Sequence, residues 1–237
     1  MNAVLDDMRF RALRYSVPES AGYMGVPYGA MHKWVAGYAF DVRNSPVSGD
    51  PILHATRAPK GYRLTFASLV EAQVIAGLRR GTRGARSLQS LRRIVRQLRR
   101  EIGDEWALAS ERLYVSGADV LWDIAERTSD EDAAQLVVID SGQRVFHEAL
   151  SQYLERIEYV DEYAGRIFLP ITEDPVIVVD PTVNYGRPTF QSSGAPARPV
   201  LMRLAGGESI EAVANDYGIP IPELRQVMGE RAEAVAS

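Results

Sequence analysis

Residues 17–35, VPESAGYMGVPYGAMHKWV, have the pattern of two short helices joined by a turn at Gly25. Ala21 lies four residues before this glycine, where a small side chain lets two helices cross closely. Pro18 and Pro27 stand where the helices would begin, and proline is well tolerated in a first turn. Apolar residues fill the positions that would face inward, namely Met24, Val26, Met31 and Trp34. The pattern predicts a helix-turn-helix, and a plain helical hairpin is the alternative.

The second helix of this pair would present Tyr28, His32 and Lys33 outward, toward a DNA major groove. Residues 37–64 follow and are rich in glycine, proline and polar residues, which is typical of a loop or β-wing. The basic side chains of this segment would suit contacts with a phosphate backbone; they are Arg43, Arg57, Lys60 and Arg63.

Charge is distributed unequally along the 237 residues. Residues 1–100 hold 17 Lys and Arg against 6 Asp and Glu, a net +11, whereas residues 101–237 hold 10 against 25, a net −15. Nine arginines and no acidic residue lie from position 79 to position 100. Because like charges repel unless an anion is near, we expect some of them to contact phosphate, with Arg83 and Arg86 as candidates. A solvated arginine face is the alternative.

Two further helices are expected in LTFASLVEAQVIAGLRR (64–80), with Thr65 or Ser68 as its cap, and in SLQSLRRIVRQL (87–98). This order of elements resembles the MerR-type winged helix-turn-helix domain over about residues 14–102. The resemblance implies a winged DNA-binding fold and usually a dimer on a near-palindromic operator. The chain departs from that family because its second helix carries no arginine and the long dimerisation helix is missing.

The middle of the chain reads as a small α+β module. Expected strands are RLYVSGADVLWDI (112–124, as two strands around Ser116 and Gly117), QLVVID (135–140, buried), RIFLPI (166–171) and VIVVDP (176–181). RVFHEALSQYLERI (144–157) has helical spacing. His147 and Glu148 would point about 100° apart on that helix, which favours structural positions over a catalytic pair.

A second helix-turn-helix pattern, SIEAVANDYGIPIPELRQVM (209–228), aligns on Gly218 with Ser209 as its cap. Acidic residues dominate this segment and its flanks: Glu208, Glu211, Asp216, Glu223 and Glu230 outnumber Arg225 and Arg231. DNA phosphates would be repelled by such a surface. We therefore expect this part of the chain to face a protein.

Residues 178–228 are similar to the small helical antitoxin-associated domain that bacteria pair with PIN-domain toxins of the VapC type. The residues that carry the similarity are Asp180 and Pro181, the Gly186, Arg187, Pro188 turn, and Ala205 to Glu211 in AGGESIE. The turn QSSGAPARP departs from the glycine-threonine-arginine turn of that family, and Arg198 is the candidate to replace its arginine. Together with the MerR-like half, the chain resembles the longer VapB-like antitoxins.

This resemblance implies a mechanism of inhibition. PIN toxins hold Mg²⁺ in a carboxylate cluster for RNA cleavage, and the fork of an arginine matches carboxylate geometry. The candidate toxin contacts are Arg187, Arg198 and Arg203, with Phe190 as an apolar anchor. Alternatively, Arg187 only braces the turn and Phe190 belongs to the core.

The sequence thus predicts a mainly α fold with a smaller α+β part. A MerR-like winged helix-turn-helix domain would span residues 1–102, a short-strand α+β linker module residues 103–172, and a C-terminal helix-turn-helix-like helical domain residues 173–237. The absence of cysteine, of a phosphate-binding glycine loop and of a nucleophile elbow argues against an enzyme, a metal site or a cofactor.

We expect a cytosolic, homodimeric antitoxin with no membrane segment, which binds operator DNA and a PIN-domain toxin. One alternative is a MerR-like regulator whose C-terminal module senses a small ligand. Another is a small-substrate enzyme that uses the α+β module, with His147 among its first candidates.

Overall fold

Helices dominate the fold and small antiparallel sheets complete it, which confirms the expected fold class. The computed structural model describes residues 7–42, 45–80, 88–129, 131–140, 143–172 and 174–230. The helices are α1 (Met8–Arg11), α2 (Val17–Met24), α3 (Tyr28–Ala36), α4 (Phe66–Arg80), α5 (Leu88–Ile102), α6 (Glu111–Thr128), α7 (Glu131–Ala134), α8 (Glu148–Leu154), α9 (Ala197–Ala205), α10 (Ile210–Tyr217) and α11 (Ile221–Glu230).

The strands form four small antiparallel sheets. Their bounds are β1 (Tyr15–Ser16), β2 (Tyr38–Val42), β3 (Ser45–Gly49), β4 (Thr56–Ala58), β5 (Gly61–Leu64), β6 (Val137–Asp140), β7 (Gln143–Phe146), β8 (Ile157–Val160), β9 (Tyr163–Phe168), β10 (Ile177–Val179) and β11 (Thr189–Phe190). The sheet orders are β1-β5-β4, β2-β3, β6-β7 and β11-β10-β9-β8.

The first helix pair forms as the sequence predicts. A capping box starts α2, because the Ser16 side chain accepts the Glu19 N–H and the Glu19 carboxylate accepts the Ser16 N–H. Gly25 ends the helix in the left-handed region, at φ 59°, where glycine is favoured. Met24 and Trp34 are fully buried on the two sides of this turn, so the apolar pattern marks the packed face.

Two β-hairpins, β2–β3 and β4–β5, separate α3 from the second helix pair, in the segment where the sequence predicts a loop or β-wing. Thr65 is the cap of α4, since its hydroxyl accepts the Ser68 N–H at 3.2 Å. Helix α4 is buried on every side, including the polar residues Glu71 and Gln73. It is therefore the central helix of the molecule. Its sequence predicts one buried apolar face, whereas the structure buries the whole circumference of the helix.

The segment 112–124 corrects the prediction of two short strands, because it lies within the continuous helix α6. Leu113, Gly117, Leu121 and Ile124 are buried and recur every three or four residues, as the buried face of a helix requires. Gly117 does not mark a turn. A Cβ at this position would lie 2.7 Å from Cζ of the Phe146 ring, so the glycine permits close packing between α6 and β7.

The next segments are confirmed only in part. β6 is a strand, but just its first residue, Val137, is buried, so the expectation of a buried strand is wrong. The helix predicted over 144–157 forms only as α8 (Glu148–Leu154), because the start of the predicted range belongs to strand β7 and Ile157 begins β8. The His147 N–H donates to the Leu136 carbonyl at 2.7 Å, which closes the β6–β7 hairpin, and its own carbonyl accepts the Leu150 N–H, which begins α8.

β10 forms within the predicted strand 176–181, whereas β9 starts three residues before the predicted strand 166–171 and ends inside it, at Phe168. β10 pairs with β9 and β11. The second helix-turn-helix pattern is also confirmed in its geometry. Ser209 caps α10 by accepting the Ala212 N–H, and Gly218 ends that helix at φ 63°. One hydrophobic cluster extends from Tyr15 to Val227 and joins all parts of the chain. Within the described ranges, no helix is long and apolar enough to cross a membrane.

Candidate functional site

The outer face of α3 carries polar and aromatic side chains. Tyr28 is 55% exposed, Lys33 is exposed and His32 is half-buried between them and the neighbouring hairpin. The His32 ring lies 5.8 Å from the Tyr28 ring and 6.3 Å from the Tyr62 ring, measured between centroids. A row of three rings therefore connects α3 with β5. The sequence analysis does not identify Tyr62 as a site residue. The local signal for it is weak: it is an aromatic residue close to the basic residues Lys60 and Arg63.

The β4–β5 hairpin places basic side chains next to this row. Arg57 lies directly opposite Tyr62 in the β-register, and Lys60 is in the turn that joins the strands. Both are exposed, so their charges can reach a ligand. Arg63 differs, because it is half-buried with Nη1 3.9 Å from Oε2 of Glu19. The predicted DNA contacts Arg43, Arg83 and Arg86 lie outside the described residues.

Six of the described arginines between positions 79 and 100 divide into two groups. Arg80, Arg92 and Arg99 each donate to a backbone carbonyl of the protein, Arg80 at the surface and the other two in part-buried positions. Exposed guanidinium groups of α5 form the second group, which consists of Arg93, Arg96 and Arg100. The arginine-rich segment is thus neither a wholly solvated face nor wholly sequestered by the protein's own carboxylates.

A buried carboxylate, Glu71, holds the two long helices α4 and α5 together. Nη2 of Arg99 donates to both of its oxygens, at 2.8 and 3.0 Å, and also to the Ile52 carbonyl at 3.0 Å. Nδ1 of His54 lies 3.2 Å from the same carboxylate but without hydrogen-bond geometry. Because Glu71 is fully buried, its charge depends on Arg99 for compensation.

A second set of contacts joins the first helix pair to the Gly186, Arg187, Pro188 turn; we call it the seam. Nη1 of Arg187 donates to Oε1 of Glu19 at 2.7 Å, and the Tyr15 hydroxyl donates to the Gly186 carbonyl at 2.8 Å. Nη1 of Arg14 donates to the Pro181 carbonyl at 2.6 Å. Gly186 has φ 74°, and a Cβ there would lie 2.5 Å from the Tyr15 hydroxyl, so glycine is required for this contact.

The seam shifts the ionisation of its charged pair. Partial burial raises the pKa of Glu19, but the hydrogen bonds from the Ser16 hydroxyl and N–H and from Arg187 outweigh burial, and the net pKa is lowered. The hydrogen bond to Glu19 in turn raises the pKa of Arg187. Arg187 therefore braces the turn, which is the alternative role that the sequence offers for it.

Acid is expected to weaken the seam. Because the pKa of Glu19 in the folded chain is below its ordinary value of 4.5, its contribution to stability is complete above that value and is lost as the pH falls through the lower, folded pKa. Between pH 6 and pH 3.5, the free energy of unfolding in urea should therefore fall less for Glu19→Gln than for the unchanged chain, by about 0.5–1 kcal/mol. The exposed Glu148→Gln variant serves as the control. A pH dependence unaltered by Glu19→Gln would contradict the assigned pKa shift.

A cavity of about 330 Å³ opens beside the seam. Its lining comes from α2 and from the C-terminal segment, namely Glu19, Tyr23, Asn184, Arg187, Pro188, Pro196, Arg198 and Pro199. Arg198 is exposed and contacts no acidic residue in the part of the chain that the structure describes. Two guanidinium groups thus line one cavity with a single carboxylate, an arrangement suited to a carboxylate-bearing ligand.

The other two residues predicted to contact a toxin are placed differently. Phe190 is fully buried in the core, so the structure supports the alternative reading and corrects its use as an exposed anchor. The Arg203 guanidinium donates to Glu208 and Asp216, and its Cζ lies 5.4 Å from the centroid of the Tyr217 ring. Those hydrogen bonds raise the pKa of Arg203. Its fork is already occupied by the chain's own carboxylates.

Comparisons with known proteins place these surfaces in two matched segments. Residues 13–94 match a family described as "Putative DNA-binding HTH domain", and residues 177–228 match one described as "Protein of unknown function (DUF433)". The chain is 36% identical over 231 residues to "Putative antitoxin VapB45" of Mycobacterium tuberculosis, which covers 94% of this chain and 95% of that protein.

Two further similarities come from the same organism. "Uncharacterized protein Rv2308" is 26% identical over 220 residues, which covers 90% of this chain and 88% of that protein. The crystal structure of Rv2018 is similar with a TM-score of 0.79 at 33% identity, and the match covers 93% of this chain and 99% of that chain. The first matched segment contains the α3 face and both hairpins, and the second contains the turn that forms the seam.

Proposed function

The chain belongs to the family of the relative named "Putative antitoxin VapB45", and we propose that it is the antitoxin of a type II toxin–antitoxin pair that represses its own operon. In this proposal it acts in the cytoplasm as a homodimer on a near-palindromic operator. The observation that supports DNA binding best is the basic and aromatic surface formed by α3 and the β4–β5 hairpin, which lies within the segment matched by a DNA-binding family.

The residues of this surface would contact different parts of DNA. Tyr28, His32 and Lys33 lie on one face of a helix of the size that enters a major groove, where aromatic and polar side chains meet base edges. Arg57 and Lys60 stand on a hairpin beside that helix and would contact phosphates, which position the protein without reading sequence. We call this set of five residues the DNA surface.

For the toxin, we propose a PIN-domain ribonuclease of the VapC type. The relative's name, the C-terminal match and the excess of acidic residues past position 100 support a protein partner for this half. Arg198 is the strongest candidate contact, because it is exposed beside Arg187 in the seam cavity. A guanidinium from this cavity would pair with a carboxylate of the nuclease. Arg203 would first have to leave Glu208 and Asp216.

The toxin proposal predicts the effect of a single charge reversal. Arg198→Glu should weaken binding of the co-expressed product of the adjacent gene about 10- to 100-fold, the value of one charge-assisted hydrogen bond. Operator binding should stay unchanged. The measurement is co-purification followed by titration of ribonuclease inhibition.

Arg112→Glu, an exposed reversal on α6, is the matched control. Arg187→Glu is a poorer test, because it also places two carboxylates together in the seam. Unchanged inhibition for the reversals of Arg187, Arg198 and Arg203 would remove all three from the interface.

A further inference from the structure

Arg92 is a buried cation behind α3. Only 3% of the residue is exposed. Its side chain extends from α5 and contacts α3 and the residue that follows β3. Nη2 donates to the Lys33 carbonyl at 3.2 Å, and Nε donates to the Asp50 carbonyl. Nη1 donates back to the Leu88 carbonyl of its own helix at 3.1 Å, and Cζ lies 4.5 Å from the centroid of the Tyr38 ring.

The surrounding backbone is shaped to admit this side chain. A Cβ at Gly49 would lie 2.8 Å from Cζ of Arg92 and 2.9 Å from Cε1 of Tyr38. Gly49 in turn lies against Gly37, where φ is 73° and a Cβ would be 2.5 Å from the Gly49 carbonyl oxygen. Glycine is therefore needed at Gly49 for Arg92 to stack on the Tyr38 ring, and at Gly37 for the backbone of Gly49 to approach closely.

Stability alone does not account for an arginine at this position. Among the described residues, its contacts are carbonyls and an aromatic face, with no carboxylate within ion-pair distance. Burial lowers the pKa of Arg92 and outweighs the opposing effect of Tyr38 and Asp50, and the neighbouring Arg96 also lowers it. An apolar side chain of similar volume is often at least as stabilising as a buried charge.

The position of the Arg92 guanidinium indicates that it acts on the end of α3. Lys33 lies in the last turn of α3, where carbonyls lack an intrahelical partner and a cation is favourable. The contacts of Arg92 with the Asp50 carbonyl and the Tyr38 ring connect the same end of α3 to the β2–β3 hairpin. The last strand of that hairpin leads into the segment before β4. Rotation of α3 away from this position would move Tyr28 and Lys33 relative to Arg57 and Lys60.

We propose that Arg92 is a positioning residue for sequence reading: it clamps the end of α3 to the β2–β3 hairpin and α5, and so sets the geometry of the DNA surface without touching DNA. This inference rests on the proposed operator binding. Discrimination between bases requires side chains held close to one geometry, whereas attraction to phosphates does not. Loss of the clamp should therefore affect specificity more than overall affinity for DNA.

The test uses Arg92→Met, which keeps much of the volume, and Arg92→Lys, which keeps the charge. In Arg92→Met, the ratio of operator affinity to affinity for a scrambled duplex should fall about 30-fold, roughly the discrimination that one side chain paired with a base supplies. The dependence of affinity on salt should keep its slope, because no phosphate contact is removed. Arg92→Lys should recover part of the ratio. Arg93→Met, at the exposed neighbour, should leave the ratio unchanged, because Arg93 lies within 3.8 Å of Asp132 on α7 and is not part of the DNA surface.

An unchanged ratio in Arg92→Met, or a shallower salt slope, would overturn the inference while operator binding by the unchanged chain stands. If the unchanged chain shows no preference for operator, the proposed function fails, and amide hydrogen exchange still tests the clamp. The Ile52 and Leu53 N–H groups donate to the Trp34 carbonyl at 2.8 and 3.0 Å. They should exchange at least about tenfold faster in Arg92→Met than in Arg93→Met, and equal rates would overturn the clamp.

Discussion

The double variant Arg57→Glu, Lys60→Glu is expected to bind operator DNA about 100-fold more weakly than the unchanged chain. Both side chains are exposed on the β4–β5 hairpin, and neither contacts an acidic residue in the described part of the chain. Two charge-assisted hydrogen bonds to phosphate, each about 1.5 kcal/mol, account for this factor before the added repulsion is considered. Fluorescence anisotropy with the duplex upstream of the gene measures the weaker binding.

The control for this variant reverses two exposed arginines elsewhere. Arg112→Glu, Arg225→Glu introduces the same change in net charge on α6 and α11. If it weakens DNA binding as much, the effect belongs to the overall charge and the β4–β5 hairpin is not a DNA contact. The hairpin variant should also show a salt slope about two units shallower, one for each phosphate that the hairpin no longer neutralises.

Removing Arg99 is expected to cost about 3–5 kcal/mol of the free energy of unfolding, the largest stability effect that we predict for a single substitution. In Arg99→Met the fully buried Glu71 carboxylate loses its ion pair, and the Ile52 carbonyl loses a donor. A buried charge without compensation is the main cause of this cost. Urea unfolding followed by circular dichroism gives the value.

The double variant Glu71→Met, Arg99→Met separates charge from packing. It should be more stable than Arg99→Met alone, because it leaves no buried carboxylate behind. Arg100→Met is the matched control: its side chain is 71% exposed, so its substitution should cost under about 1 kcal/mol. A double variant as unstable as the single one would contradict this account and assign the cost to packing.

Local signals in the sequence were sufficient for the two helix-turn-helix units. Each has a glycine in the left-handed region at its turn, and the apolar residues around Gly25 and Gly218 face inward at helical spacing. These features depend on neighbours within a few residues, so periodicity and turn chemistry identify them. The division at residues 102 and 172 stays a prediction, although one hydrophobic cluster runs through all parts of the chain.

The sequence wrongly predicts strands in the segment 112–124 because its β-branched and aromatic residues favour strands locally. Gly117 resembled a turn residue, whereas its actual role is contact with Phe146, a ring 29 positions away. Packing against a distant element overrode local propensity here. Likewise, Phe190 has the same local appearance whether it is core or an exposed anchor, and only the tertiary fold distinguishes the two.

For the same reason, the sequence does not predict which partner each arginine contacts. Arg99 pairs with a carboxylate 28 positions away, and Arg187 pairs with Glu19 over a separation of 168. No periodic pattern encodes such partners. Composition correctly indicated a basic half, but only side-chain placement separates Arg92 in the interior from Arg57 on the surface.

Salt-dependent DNA binding by the full chain tests the central claim most directly. Fluorescence anisotropy titrations should be run with the upstream duplex and with a scrambled duplex at about 50 to 200 mM salt. The affinity for the upstream duplex should be higher than that for the scrambled duplex. The logarithm of the association constant should fall steeply against the logarithm of salt concentration, with a slope of about −4 or more negative. Equal affinity for both duplexes, or a slope near zero, would contradict the assignment of the α3 and β4–β5 face to operator DNA.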